Sequence, residues 1–406
     1  MSDFQLDEDR YIGRRVREIR ARRGISQQVL ADRVGKSRGA IAKYENGERP
    51  VDSRRLLHAL AQALGVNVGD LTGHEQDRLD PSASRFHSAV PEIETVLWTQ
   101  GNITDTRPPW SFAELAALAV EVTRLRHACD YVTLGPMLAP MLADSFRHVR
   151  DTDSETAWDI HSVITYGIAS ALRARGYESL AWTAAQESER AAQKIDGTAA
   201  RAATAYIQSQ ILFTRPGALP AALDLAERTA SQLSSTVRTV GDIETCGMLH
   251  LQASFVTAAL GGTPDSHLEF AAEHAGRLSQ AQPGSSAARN VTFGPANVAL
   301  WRMSAAMESH EPGQVLTLAP ELSPDDLPGE GRRAQYFVEI GRAQAMQRNY
   351  REALYALLRA EHTAPQHIRT MTPVRELVGH MMRSAKRDLV TGDLGKLAQR
   401  IGVVPA

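Results

Sequence analysis

Two groups of side chains in this 406-residue sequence could do chemistry. The first is cationic. Between Arg10 and Arg55 there are 14 Lys or Arg against 5 Asp or Glu, a net of +9. Residues 1–9 hold four acids, and residues 56–406 hold 31 bases and 38 acids, a net of −7, so the overall −2 hides one basic segment. Charge concentrated in this way suits a polyanion partner there and nowhere else. The second group is Asn297 and Trp301, within TFGPANVALW. Gly294-Pro295 gives a sharp entry into a helix, because proline suits a first turn, and puts the amide and the indole one turn apart on the same side. Together they could orient a ligand by hydrogen bonding and stacking. The competing reading has Asn297 tying down a loop and Trp301 packing between helices.

Catalytic constellations are not found. There is no G-x-x-x-x-G-K-[ST] phosphate loop and no G-x-S-x-G elbow, and His310-Glu311 runs into Pro312 without a second histidine. The 13 histidines are scattered. Cys129 and Cys246 stand far apart in apolar surroundings, which suits buried thiols in a reducing compartment better than a disulfide or a metal pair. The start, MSDFQLDEDR, lacks the apolar run of a signal peptide, and no stretch approaches 18 uncharged apolar residues. The expectation is a cytoplasmic protein, on the nucleoid when bound to DNA, with no enzymatic activity, cofactor, metal or membrane partner.

The elements that position the basic side chains can be read from periodicity and caps. Ile12, Val16 and Ile19 recur at helical spacing up to Gly24. Ser26 then caps a second helix carrying Val29, Leu30 and Val34, and Ser37 caps a third with Ile41 and Tyr44 inward, ending at Asn46-Gly47. Leu56, Leu57, Leu60, Ala61 and Leu64 define a fourth helix, and Val68 to Leu71 a short fifth. Two helices joined by a tight turn inside a basic bundle describe a helix-turn-helix DNA reader.

The pattern S-Q-x-x-L-A-x-x-x-G at 26–35, followed by S-R-x-x-I-x-x-Y-E-N-G at 37–47, resembles the Cro/C1 phage-repressor, or Xre, family over about 60 residues. That resemblance implies positions for DNA contact. Gln27 matches a residue that braces the backbone and touches the third helix. Ser37 and Asn46 fall where the family contacts phosphate, and Arg38 and Lys43 where side chains reach base edges, with Arg49 joining the DNA-binding set. Gly39 departs from a base-reading amide common at its position. Arg20 and Glu45 match a pair that is ion-paired beneath the DNA face in some relatives.

From Gly73 to Pro109 the pattern breaks down into a linker with one short helix at about Pro91 to Trp98. Beyond it the composition is helical, with turn signals every 15 to 25 residues, a rhythm of helix pairs in an array. Phe337, Ile340, Gly341, Tyr350, Ala353, Leu357, Ala360 and Pro365 follow most of the spacing of a tetratricopeptide repeat. About six pairs run from Phe112 to Ala364, and a helix from Pro373 to Asp388 could cap the end. Projecting the repeat spacing onto first helices puts Tyr166, Arg173, His250, Gln335 and Arg342 on the inner face, where with Asn297 and Trp301 they are the candidate ligand-binding residues. The order of parts is similar to actinobacterial Xre-type regulators with tetratricopeptide-like repeats, carried by YVTLGPMLAPMLAD at 131–144, LAWTAAQESERAA at 180–192 and FGPANVALWRMS at 293–304. In domain order it also resembles peptide-sensing quorum regulators.

The expected fold is all-α: a five-helix Cro/C1-type helix-turn-helix domain at 1–72, a linker at 73–111, and an α-solenoid of tetratricopeptide-like helix pairs at 112–406 for sensing and dimerisation. The expected function is operator binding by a homodimer on double-stranded DNA, controlled by a small-molecule or peptide effector. The alternative is a repeat domain that serves as a protein–protein scaffold without a diffusible ligand.

Overall fold

Ser26, Ser37 and Ser53 each begin a helix by the same device: the hydroxyl oxygen accepts a backbone N–H three residues on, from Val29, Ala40 and Leu56. The computed structural model describes residues 12–51, 53–66, 71, 84–102, 107–195, 197–215, 217–278, 292–386 and 389–403. Its regular elements are all helical. The N-terminal bundle, here called the reader, contains α1 (Ile12–Arg22), α2 (Gln27–Arg33), α3 (Arg38–Glu45) and α4 (Arg54–Leu64). Ile12, Val16, Leu30, Ala31, Ile41, Tyr44, Leu60 and Leu64 form its core. Val29, expected on the apolar side of α2, is instead 41% exposed, because Leu30 and Ala31 take the inward positions. The fifth helix at 68–71 lies outside the described residues except for Leu71, which is buried in this core.

The segment expected as a linker holds more structure than its prolines suggested. Helix α5 (Ser84–Thr99) runs 16 residues through Pro91. An interior proline costs about 3 kcal/mol, but here the helix buries Phe86, Val90, Ile93, Val96 and Leu97 in the core of the array. Gly135 permits this approach, since a Cβ there would stand 2.8 Å from the Phe86 Cα.

Among the described residues six helix pairs follow: α6 (Phe112–His127) with α7 (Tyr131–Thr152), α8 (Glu155–Ala174) with α9 (Glu178–Lys194), and α10 (Thr198–Leu212) with α11 (Leu219–Leu233). Then come α12 (Val240–Leu260) with α13 (Asp265–Arg277), α14 (Pro295–Glu308) with α15 (Pro312–Leu318), and α16 (Glu330–Met346) with α17 (Tyr350–Thr363). Small residues let partners close up. Gly341 faces Leu357, where an added Cβ would meet the side chain at 3.1 Å, and Ala353 and Ala360 are fully buried. The chain ends in α18 (Pro365–Ile368), α19 (Thr372–Ser384), a π-helical turn at Val390–Leu394 and α20 (Gly395–Arg400). One apolar core runs through the stack from Phe86 to Ile401, the expected consequence of repeats that bury their faces only against neighbours. Among the described residues, no helix is long and apolar enough to cross a membrane.

The reader is docked on the array. The Ile12 N–H donates to Glu376 Oε1 of α19 at 3.0 Å, and Arg383 Nε donates to the Gly47 carbonyl at 3.3 Å. His58 of α4 meets the Phe213 ring edge-on, with centroids 5.7 Å apart. Arg55 and Gln62 of the same helix lie against Gly261 and Gly217.

Candidate nucleic-acid interface and the cavity beneath the reader

Helix α3 has two unlike faces. Ile41, Tyr44 and Glu45 are buried, while Ser37, Arg38, Gly39, Lys43, Asn46 and Arg49 are exposed on or beside the other side. The buried side is fixed by charge as well as by packing. Arg20 Nε donates to Glu45 Oε1 at 2.5 Å and Arg20 Nη2 to Oε2 at 2.9 Å, while Gln27 Nε2 donates to the same Oε2 at 2.8 Å. The Glu45 hydrogen bonds hold the Arg20 guanidinium above its ordinary pKa, against a smaller opposing effect of burial. Gln27 thus ties α2 to α3. Around Gly39 there is open space, so a side chain would fit; packing does not require the glycine. The Arg49 guanidinium sits 5.5 Å over the Tyr44 ring. Lys43 and Arg49 also edge a recess whose opposite wall is Arg348, Tyr350 and His380 of the array. The arrangement presents a basic, polar helix surface on a rigid support, which suits the major groove of a duplex.

The array residues singled out from the sequence separate into two sets. Arg173, Trp301 and Gln335 line a cavity of about 320 Å³ between reader and array. It is bounded by the first helices of five successive pairs and, on the other side, by Ile12, Val51, Ser53, Leu57 and His58 of the reader. Trp301 stands edge-on to Phe255, 5.5 Å between centroids, and the Arg332 guanidinium lies 5.4 Å from the indole. The Trp301 Nε1 and Arg173 Nε atoms are buried without a hydrogen-bond partner. Burial pushes the Arg173 guanidinium down, with the Tyr206, Tyr131 and Tyr166 phenols opposing that and the Arg332 charge adding to it. Tyr166 is buried behind this wall, under the Arg126 guanidinium at 5.2 Å.

The remaining three point elsewhere. Asn297, fully buried, turns its amide to Met248 Sδ at 3.4 Å, away from the indole one turn along the helix. Arg342 is held inside the stack by Glu339 at 2.9 Å and Glu308 at 3.3 Å. His250 packs against His267, His274 and Phe270 of α13, and burial pushes its imidazole down to about 4. Arg332 was not foreseen, although it lies three residues before Gln335 and hence on the same helix face. The reader's contribution to the cavity had no signal in the sequence, because it arises from docking.

Residues 12–74 match a family described as a helix-turn-helix domain. The chain is 42% identical over 69 residues to the propionyl-CoA carboxylase regulator of Cereibacter sphaeroides, a stretch covering 17% of this chain and 15% of that protein. It is 37% identical over 73 residues to an uncharacterized transcriptional regulator in the ATPase CF(0) region of Rhodospirillum rubrum, covering 18% of this chain and 66% of the other. Both alignments span less than two thirds of the relative's length. A crystal structure of Bacillus thuringiensis PlcR with the peptide PapR7 and DNA aligns over 88% of this chain and 97% of that one, at 10% identity and a TM-score of 0.24. A score that low carries no argument.

Proposed function

We propose that this chain is a helix-turn-helix regulator of the Xre type, which binds a specific operator as a homodimer and releases or grips it in response to a signal sensed by the array. The observation that carries this reading is the polarity of α3, whose apolar side is locked by Ile41, Tyr44 and the Arg20–Glu45 pair while its basic side is free. In this reading Arg38 and Lys43 meet base edges, where a guanidinium or ammonium matches guanine O6 and N7. Ser37, Asn46 and Arg49 hold the phosphates, and Gly39 leaves the direct readout sparse. Two readers would occupy half-sites about one helical turn apart. The cavity beneath the reader supports a small molecule as the effector, because about 320 Å³ lies at the low end of small-molecule sites.

The test is anisotropy of the full chain on a fragment recovered by genome-wide mapping and on a random duplex of equal length, across a salt series. Specific binding with affinity falling steeply with salt is expected, since the basic segment displaces counterions. Equal affinity for both duplexes at physiological salt refutes the operator reading.

A further inference from the structure

We propose that the cavity beneath the reader binds a small organic anion, its acid group between Arg173 and Arg332 and its apolar body against Trp301, Phe213 and Phe255. This deepens the sensing role proposed above and rests on it.

The argument begins with what the two arginines lack. Among the described residues, the Arg173 side chain makes no hydrogen bond or ion pair, and its Nε is buried. Arg332 reaches the Trp301 ring and the Tyr206 phenol, and among the described residues no ion pair joins it to an acid. Several arginines sunk into this chain are matched with acids, Arg342 with Glu308 and Glu339, Arg20 with Glu45, and Arg107 with Asp144, while buried Arg175 donates to the Gln366 carbonyl and the Thr370 hydroxyl. Two guanidiniums lining one cavity are a cost to the folded protein unless an opposite charge arrives, since a buried charge is favourable only when paired. Among the described residues, Glu178 is the single carboxylate lining the cavity, set against the two arginines. Arginine forks fit carboxylate and phosphate alike, so the acid group is one of these two. The rest of the wall suits an apolar or aromatic body with a few polar anchors, with Gln252 and Ser304 beside the aromatic rings and the Trp301 N–H unpartnered. The opposite wall belongs to the reader, through Ile12, Leu57 and His58. An occupant therefore touches both bodies and binds the docked arrangement differently from any other, which is the condition for a ligand to shift the equilibrium.

The experiment is thermal melting of the full chain at constant ionic strength with benzoate, phenyl phosphate and uncharged benzamide, for the wild type, R173M, R332M and the double variant. At roughly one hundred times Kd, an anionic probe is expected to raise the wild-type Tm by about 3 °C, with benzamide inert. The larger of the benzoate and phenyl phosphate shifts identifies the acid group. Each variant is expected to lose the shift and, without ligand, to melt at or above the wild type because a repulsion has been removed. R332M, at the first turn of α16, decides the matter if R173M fails to fold. The proposal is overturned if no anion shifts the wild type, if the double variant shifts equally, or if ligand-free R332M melts several degrees lower. Melting is read without DNA. A chain that binds its operator and ignores both anions therefore refutes this proposal alone, and one that responds to anions and binds no duplex refutes the regulatory reading alone.

Discussion

Replacing Glu45 with alanine is expected to make the reader open more easily by about 3 kcal/mol. The carboxylate belongs to a residue 1% exposed and accepts three hydrogen bonds, two from Arg20 and one from Gln27. Deleting one partner of a buried pair costs about 3–5 kcal/mol, because a charge is left uncompensated. The Arg20 side chain is 15% exposed and keeps its bond to the Ile25 carbonyl at 2.8 Å, which puts the cost at the low end. The effect is local to the reader, whose core is separate from that of the array, so a local probe reports it more directly than a whole-chain melt. Native-state hydrogen exchange on the amides of α2 and α3 isolates the reader. A loss of about 3 kcal/mol corresponds to exchange roughly 150-fold faster. In a cycle with R20A and the double variant, the two effects are expected to fall short of additivity by about 2 kcal/mol. Additivity to within about 0.5 kcal/mol would show that the two side chains stabilise the reader independently, refuting the reasoning.

Three further outcomes follow from particular contacts. R38A is expected to lose about 1–3 kcal/mol of discrimination at one base pair, read by competition with single-substitution duplexes; a uniform loss across them would mean that Arg38 holds phosphate. G135A places a Cβ 2.8 Å from the Phe86 Cα, a backbone atom that cannot swing aside, so about 1–3 kcal/mol of stability is expected to be lost to overpacking. An unchanged melt would show that α5 and α7 can part without cost. At the docking seam, burial raises the Glu376 carboxyl from its ordinary 4.5 to about 7, opposed by the Ile12 N–H and by Arg383 and Arg375. The folded state then holds this proton more tightly than the unfolded state, so the stabilisation is complete below about pH 4.5 and is lost as pH rises through about 7, on the order of 3 kcal/mol. Urea unfolding across that window is expected to show the decline in the wild type and a flatter profile in E376Q; matching slopes would remove Glu376 as its source.

The reader was legible because its signals are local. Serine caps, an apolar triplet on each helix and the Asn46-Gly47 stop are all set by residues within one or two turns. The pairing rhythm of the array was legible for the same reason, since each repeat buries its small residues against the next. What escaped is what depends on distant segments. Pro91 reads as a breaker in isolation, yet α5 continues through it because Phe86 and Ile93 find a core supplied by residues beyond 115. Of the residues expected on the inner face, Arg173 and Gln335 line the cavity beneath the reader. His250 instead joins two other imidazoles and Phe270 between α12 and α13, and Arg342, although in the clearest repeat, is drawn into the stack by two glutamates. A side chain's direction is settled by its partner, and spacing alone does not name the partner.

The bond from Arg383 to the Gly47 carbonyl makes the end of α3 a fulcrum. Gly47, at φ +69°, is the residue where α3 stops, and it is gripped from the far end of the chain. Helix α3 has 8 residues, so at 1.5 Å per residue Arg38 stands about 12 Å out along the lever. A rotation of about 10° at the grip sweeps that arm through about 2 Å. Hydrogen bonds to base edges tolerate roughly 0.5 Å before they fail. Under the proposed operator reading, the sweep at the tip is about four times that tolerance, so a tilt at the grip small enough to leave every helix intact would cost the protein its place on the sequence without pulling it from the duplex.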